Sequence, residues 1–254
     1  MEDLLKIKNA AFYYESGKFL FRGLNFSVKR GEILSILGLN GQGKSTLMFC
    51  MMGVFALKEG EISGEAKFAF LPQSFNVAFD YSVLDIVFMG RIREISIFSK
   101  PSAKDIEICK NCLDMLEISH LTKKSFNSLS GGQRQLVLFA RAMASNSDVL
   151  FLDEPTSALD LKNQDRVLSL IKNLKEQSQA SIVFTTHQPN HALAVANNTL
   201  ILKNDLSYEF GKSYDVLTDE NLSSLYDVDV RTINFSLNGA QIPSITQIFT
   251  TQKS

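Results

Sequence analysis

The sequence predicts an α/β fold with a parallel central sheet, on three observations. Short apolar runs occur at Ile33–Leu37, Val149–Leu152 and Ile182–Phe184, the pattern of strands buried on both faces. Helical patterns lie between them, as at Val167, Leu168, Ile171 and Leu174, giving strand–helix alternation. The first run also ends on a glycine-rich loop, Gly38–Thr46 (GLNGQGKST), with an apolar helical pattern behind it. That is the strand–loop–helix order a phosphate-binding loop requires.

The elements follow in order. Leu5 and Ile7, Phe12 and Tyr14, then Leu24, Phe26 and Val28 alternate at period two, which predicts short antiparallel strands in the first thirty residues. Arg30-Gly31 marks a turn into the first buried run, and a helix is expected over Lys44–Phe55. From about residue 75 to 145 helical periodicity dominates, with a loop at Phe98-Ser99-Lys100-Pro101-Ser102. This stretch reads as a helical insertion between the glycine-rich loop and the Val149 strand. Beyond Thr232 the chain alternates polar and apolar residues and carries no recognisable chemistry. The expected organisation is one domain: 1–74 and 146–230 as core plus β-subdomain, 75–145 as helical subdomain, 231–254 as tail.

Composition excludes several classes. A net charge of −1 over 254 residues predicts no nucleic-acid partner. No apolar run reaches the roughly 18 residues of a membrane span, and the acidic start Met1-Glu2-Asp3 is unlike a secretory signal, so export is not expected. Three cysteines cannot all pair, which fits a reducing compartment. Cys109 and Cys112 form a C-x-x-C, but they share one helical face with Ile108, Leu113 and Leu116. Packing, not metal binding, is the expectation.

The loop Gly38-Leu39-Asn40-Gly41-Gln42-Gly43-Lys44-Ser45 matches G-x-x-x-x-G-K-[ST]. Glycines let successive backbone N–H groups turn inward as an anion nest, and the following helix adds its positive end. Lys44 is expected to reach the β- and γ-phosphates and Ser45 to ligate Mg²⁺. Asp153 closes the Val149–Leu152 run and is expected to hold the same Mg²⁺, while Glu154 can polarise an attacking water as general base. His187 follows the third apolar run, where an imidazole could sense a γ-phosphate; His120 and His191 are expected on a loop and an exposed helix. Ser130-Gly131-Gly132-Gln133 satisfies a capping box, so a helix is expected from here to Ala144. Two glycines in its first turn cost about 1 kcal/mol each against alanine, a choice that suits close approach of a ligand. A second helix-start phosphate site is best explained by a nucleotide held on a partner subunit.

Together these residues resemble the ATP-binding cassette ATPases over Leu4–Val230. GLNGQGKST looks like the Walker A loop, LSGGQRQ (129–135) the family signature, VLFLDEP (149–155) Walker B, Ser157-Ala158-Leu159-Asp160 the D-loop and His187 the switch histidine. The resemblance implies a P-loop NTPase core with an N-terminal antiparallel β-subdomain and an inserted helical subdomain. It implies ATP and Mg²⁺ as ligands, Gln73 as the Q-loop glutamine that links Mg²⁺ to the helical insertion, and Tyr14 as the aromatic that stacks on adenine. It further implies a homodimer in which Ser130, Gly131, Gly132, Gln133 and Asp160 of one copy meet the nucleotide held by Gly38, Asn40, Gly41, Gly43, Lys44, Ser45 and Thr46 of the other. Partners implied are integral-membrane permease subunits and, indirectly, a substrate-binding protein, with the chain peripheral on the cytoplasmic face of the cell membrane. YSVLDIVFMGR (81–91) is similar to ATPases of siderophore, haem, cobalamin and molybdate importers, and FTTHQPN (184–190) and SALDLKNQDRVLSL (157–170) look most like molybdate or tungstate importer ATPases. A soluble cassette ATPase is the other class considered, but it would usually bring tandem cassettes or basic extensions. Two departures stand out: the segment from Thr46 to Gln73 is short, and Gln188 replaces the commoner Asp beside His187.

Overall fold

A computed structural model of the chain describes residues 2–15, 17–73, 75, 77–95, 101–157, 159–178, 180–237 and 239–248. In chain order the elements are β1 (Asp3–Tyr13), β2 (Phe19–Lys29), β3 (Ile33–Leu37), α1 (Lys44–Met51), β4 (Glu59–Ser63), β5 (Phe68–Leu71), α2 (Val83–Phe88), α3 (Ala103–Met115) and α4 (Gly131–Ala144). There follow β6 (Val149–Leu152), α5 (Leu161–Ser178), β7 (Ser181–Thr186), α6 (Pro189–Val195), β8 (Asn198–Leu202), β9 (Tyr208–Lys212), α7 (Ser213–Val216), α8 (Asp219–Tyr226), β10 (Val230–Leu237) and β11 (Ala240–Gln247). The chain divides into two compact units, Met1–Leu4 with Lys29–Gly31 and Gly64–Phe184, and Leu5–Val28 with Glu32–Ser63 and Thr185–Ser254.

In the first unit β5, β6 and β7 form a parallel ladder, with Leu71 opposite Leu152 and Leu152 opposite Phe184. Every residue of β6 is buried, as expected of a strand covered on both faces. Three helices of this unit start on capping boxes: Ser82 with Asp85, Ser102 with Asp105, and Ser130 with Gln133. Arg91 ties three of its segments together, donating to Asp105 at 3.2 Å and to the Ala144 carbonyl at 3.0 Å. The expected loop at 98–102 falls partly outside the described residues; of its members, Pro101 precedes Ser102, which caps α3.

In the second unit β3 pairs parallel with β8, and β8 antiparallel with β9. A separate sheet has the order β2-β1-β4, with β1 and β4 antiparallel. Here the structure corrects the expectation of short strands: Leu5–Ile7 and Phe12 belong to one 11-residue strand. Asn9 sits at φ +48 and the register to β4 shifts between Lys8 and Ala11. One bulged residue lets Leu5 and Ile7 before it, and Ala10 to Phe12 after it, all be buried. Tyr14 lies just past the strand. Helix α1 is also shorter than expected, stopping at Met51 because the chain turns at Gly53 with φ +73. A single strand, β4, occupies the short stretch between α1 and β5.

The tail, whose polar-apolar alternation carried no recognisable chemistry, pairs as a β10–β11 hairpin in continuous register from Val230↔Gln247 to Leu237↔Ala240. Its Val230 and Ile245 enter a buried cluster with Leu37, Ala192, Ile201, Leu222 and Leu225.

Candidate functional site

The residues singled out from the sequence fall into two groups, one per unit. In the second unit, β3 delivers the chain into the glycine-rich loop. Gly41 and Gly43 stand at φ +82 and +84, a region a side chain would strain. Gly38 has a different reason: a Cβ there would lie 2.4 Å from Gln42 Oε1 and 3.2 Å from the Leu202 carbonyl. Gln42, not assigned from the sequence, braces the loop from inside. Its Oε1 accepts from Leu39 N and its Nε2 donates to Asn204 Oδ1 at 2.7 Å. Its partner lies 162 residues away, so no local motif could have flagged the contact.

Lys44 is buried and donates Nζ to the Gly38 and Leu39 carbonyls at 2.9 and 3.0 Å. These two bonds draw the lysine ammonium back across the start of the loop. No side chain caps the start of α1, and a helix start of this kind suits an anionic ligand. Ser45 is half-buried, Thr46 is buried, and Asn40 and Gly41 are exposed. The Tyr14 hydroxyl lies 3.1 Å from Thr46 Oγ1, and its ring stands edge-on to Phe12 while remaining half exposed. Phe55 stands edge-on to the same ring, at 6.3 Å between centroids.

His187 lies in this unit too, on a turn closed by Gln188 N donating to Thr186 Oγ1 at 3.0 Å. Its carbonyl accepts the Tyr226 hydroxyl at 2.7 Å. His191 is not on an exposed helix face as expected: it is 6% exposed. Burial, with His187 nearby, holds its pKa below the usual imidazole value. Pro189 starts α6, and His191 is one of the buried residues of that helix. His120 is exposed in a short 3₁₀ turn, as the sequence suggested.

In the first unit Asp153 follows β6, is buried, and extends the ladder by donating its N–H to the Leu71 carbonyl at 2.9 Å. Glu154 then takes φ +46. For a non-glycine residue before proline this backbone is strained, at a cost of order 1–3 kcal/mol. The turn is closed by Ser157 N donating to the Glu154 carbonyl at 3.1 Å. Gln73 Nε2 donates to Glu154 Oε2 at 3.1 Å, so two residues chosen for chemistry are joined here.

The Ser130 box is formed as expected: Gln133 N donates to Ser130 Oγ at 3.4 Å and Ser130 N to Gln133 Oε1 at 3.2 Å. Nothing lies within 4 Å of where a Gly131 Cβ would stand, and Gly132 faces Asn163 at 3.3 Å. Gln135, the last residue of the LSGGQRQ stretch and one given no role from the sequence, donates to the Pro155 carbonyl at 3.2 Å and so connects α4 with the turn after Glu154. Asp160 caps α5 through Asn163 N at 2.8 Å; Ala158 of the same segment lies outside the described residues. Cys109 and Cys112 are buried and unpaired on α3, in agreement with the packing expectation.

A glycine nest with an embedded lysine, an uncapped helix start and a strand-end Asp-Glu pair define a P-loop nucleotide hydrolase. The chain belongs to the ABC transporter family, whose model matches residues 21–157, and it binds and hydrolyses ATP as members of that family do. It is 49% identical over 226 residues, 89% of each chain, to the molybdate import ATP-binding protein MolC of Haemophilus influenzae. A solved chain of a metal-chelate type ABC transporter in an inward-facing conformation superposes with a TM-score of 0.93 at 44% identity, covering 98% of this chain and 99% of that one. The dimeric post-hydrolysis state of the cassette MJ0796 with ADP and Pi matches with a TM-score of 0.73 at 28% identity, over 82% and 98%. These bear out the fold expected from the sequence. Among the described residues no helix is long and apolar enough to cross a membrane.

Proposed function

We propose that this chain is the ATP-hydrolysing subunit of a membrane importer for a metal-containing nutrient, with molybdate or tungstate as cargo. The observation that carries this reading is the 49% identity to a molybdate importer subunit along 89% of both chains. A metal-chelate cargo (ferric siderophore, haem or cobalamin) is the second reading, favoured by the TM-score of 0.93 to a metal-chelate type transporter.

In this reading Gly38, Asn40, Gly41, Gly43, Lys44, Ser45 and Thr46 hold the triphosphate and Tyr14 stacks on the adenine. Glu154 draws the proton from the attacking water, and its bond to Gln73 fixes the carboxylate meanwhile. His187 senses the γ-phosphate. Ser45, Asp153 and Gln73 offer hard oxygen donors of the kind Mg²⁺ takes, and among the described residues no cluster of three His, Cys, Asp or Glu builds a softer metal cage. Mg²⁺ bound there would neutralise phosphate charge; the ion is part of the proposal.

Two copies act together, with Ser130, Gly131, Gly132, Gln133 and Asp160 of one meeting the nucleotide of the other. The open space at Gly131 supports this, because the glycine answers no need of its own chain. The dimer docks on permease subunits at the cytoplasmic face of the membrane, beside the Gln73 loop, and a binding protein delivers cargo to them. Co-purifying the chain with its membrane partner and measuring uptake of radiolabelled molybdate against a ferric chelate tests the cargo. Uptake of the chelate alone would replace the first reading by the second, and ATP-dependent uptake of neither would remove both.

A further inference from the structure

The elements after β9 contain none of the residues assigned to nucleotide, yet they grip the His187 turn at two points. The first is Tyr226, the last residue of α8, whose hydroxyl donates to the His187 carbonyl at 2.7 Å. Its ring packs against the cluster that holds Leu37, Leu222 and Leu225. Burial raises the phenol's pKa further above neutrality, so the hydroxyl remains a donor throughout the working range.

The second is Asn190 in α6. Its Nδ2 donates to the Ile245 carbonyl at 2.8 Å and its Oδ1 accepts from Ile245 N at 2.7 Å. A side-chain amide that satisfies both backbone groups of one residue behaves as an added strand partner for β11. The hairpin is in turn pinned to α8. Thr232 N and Oγ1 both donate to Asp219 Oδ1 at 2.8 Å, and Val230 N donates to Ser223 Oγ at 3.0 Å. Between the two grips lies a cavity of about 350 Å³ bordered by His187, Gln188, Tyr226, Val228, Ile245 and Gln247. Close packing does not fill this side of the turn, and polar tethers flank the space.

We propose that α8 and the β10–β11 hairpin brace the switch turn, with Tyr226 as a positioning residue for ATP hydrolysis and Asn190 as the tie between hairpin and α6. The inference rests on His187 acting at the γ-phosphate, as proposed above. A positional error in a group that acts only on the terminal phosphate lowers turnover and leaves ground-state nucleotide binding nearly intact.

The test compares the full chain with its Tyr226→Phe, Asn190→Ala and His187→Ala variants. Steady-state ATP hydrolysis is read together with the imidazole ¹H–¹³C resonances, which are simple to assign because the chain has 3 histidines. Tyr226→Phe removes one oxygen and keeps the ring, so it should fold, and its melting temperature checks that. Each brace variant should lower kcat by about 3- to 10-fold, the rate equivalent of one neutral hydrogen bond. The KM for ATP should stay within about twofold, and the His187 resonances should move while those of His120 do not. If His187→Ala is inactive but both brace variants keep wild-type kcat and unmoved His187 resonances, the brace is wrong and the switch assignment stands. If His187→Ala keeps full turnover, the switch assignment is wrong. In that case, or where the chain shows no turnover by itself, the resonances alone decide whether the brace holds the turn.

Discussion

Gln73 and Glu154 are joined by a 3.1 Å hydrogen bond, and the register of their strands explains why. Leu71 at the end of β5 lies opposite Leu152 at the end of β6, so residues two steps beyond each strand emerge at the same level. The Asp153 N–H donating to the Leu71 carbonyl adds one more rung, and the left-handed backbone of Glu154 then turns its side chain off the strand direction.

That arrangement separates the carboxylate's chemistry from its positioning. Glu154→Gln should lower ATP turnover by about 10²–10⁴-fold, the usual contribution of a general base, while ATP binding persists and an ATP-bound dimer accumulates on gel filtration. Gln73→Ala should lower turnover less and trap no dimer, since the base remains but loses its fixed orientation. Turnover by Glu154→Gln close to wild type would remove Glu154 as the base.

The start of α4 gives a prediction of opposite sign for stability and activity. A Cβ at Gly131 meets nothing within 4 Å and its φ lies outside the left-handed region. Gly131→Ala should therefore leave the melting temperature unchanged or raise stability by up to about 1 kcal/mol. It should nevertheless cut ATP hydrolysis by about tenfold or more, by intruding where a partner's phosphate is to be held. Ser130→Arg should do the same more severely. Loss of stability together with activity would show that the glycine serves its own helix.

The thiols should be inert for a physical reason. Burial pushes Cys50 and Cys109 up to about 11 and Cys112 up to about 12. At pH 8 this leaves a thiolate population roughly a few hundredfold below that of a free cysteine for Cys50 and Cys109, and roughly a few thousandfold below for Cys112. The native chain should react with dithionitrobenzoate only slowly, and all three cysteines should react promptly once guanidinium unfolds it. Fast reaction of Cys109 or Cys112 in the native protein, or stoichiometric zinc after purification, would point back to a metal or redox role for the C-x-x-C.

What could be read from the sequence was what is written contiguously. The phosphate loop, the Ser130 box and the apolar run before Asp153 each carry their residues within a few positions, so spacing alone reports them. The first strand was harder, because a left-handed Asn9 changes the face on which alternate residues fall and breaks the period that defines a strand. The tail was harder still. Its alternation is that of a hairpin, but what ties the hairpin down is Asn190 reaching Ile245 across 55 residues, as Tyr226 of α8 reaches His187 across 39. Contacts of that kind leave no local pattern. The same holds for the bond from Gln135 to the Pro155 carbonyl, which joins residues 20 positions apart.

His191 provides the test of pH dependence. It is 6% exposed, and burial, with a smaller contribution from His187, holds its pKa below the unfolded value of about 6.5. Between the folded and unfolded values the unfolded chain binds more protons, so stability rises with pH there and falls as the pH drops below about 6.5. One such group contributes a slope of at most about 1.4 kcal/mol per pH unit. The wild-type melting temperature should accordingly decline from pH 7.5 to pH 5.5. In His191→Gln, which cannot take up the proton, that part of the decline should disappear, whatever the variant's stability at pH 7.5. An unchanged slope in His191→Gln would mean that the imidazole is already protonated in the fold, or that other groups govern the acid transition.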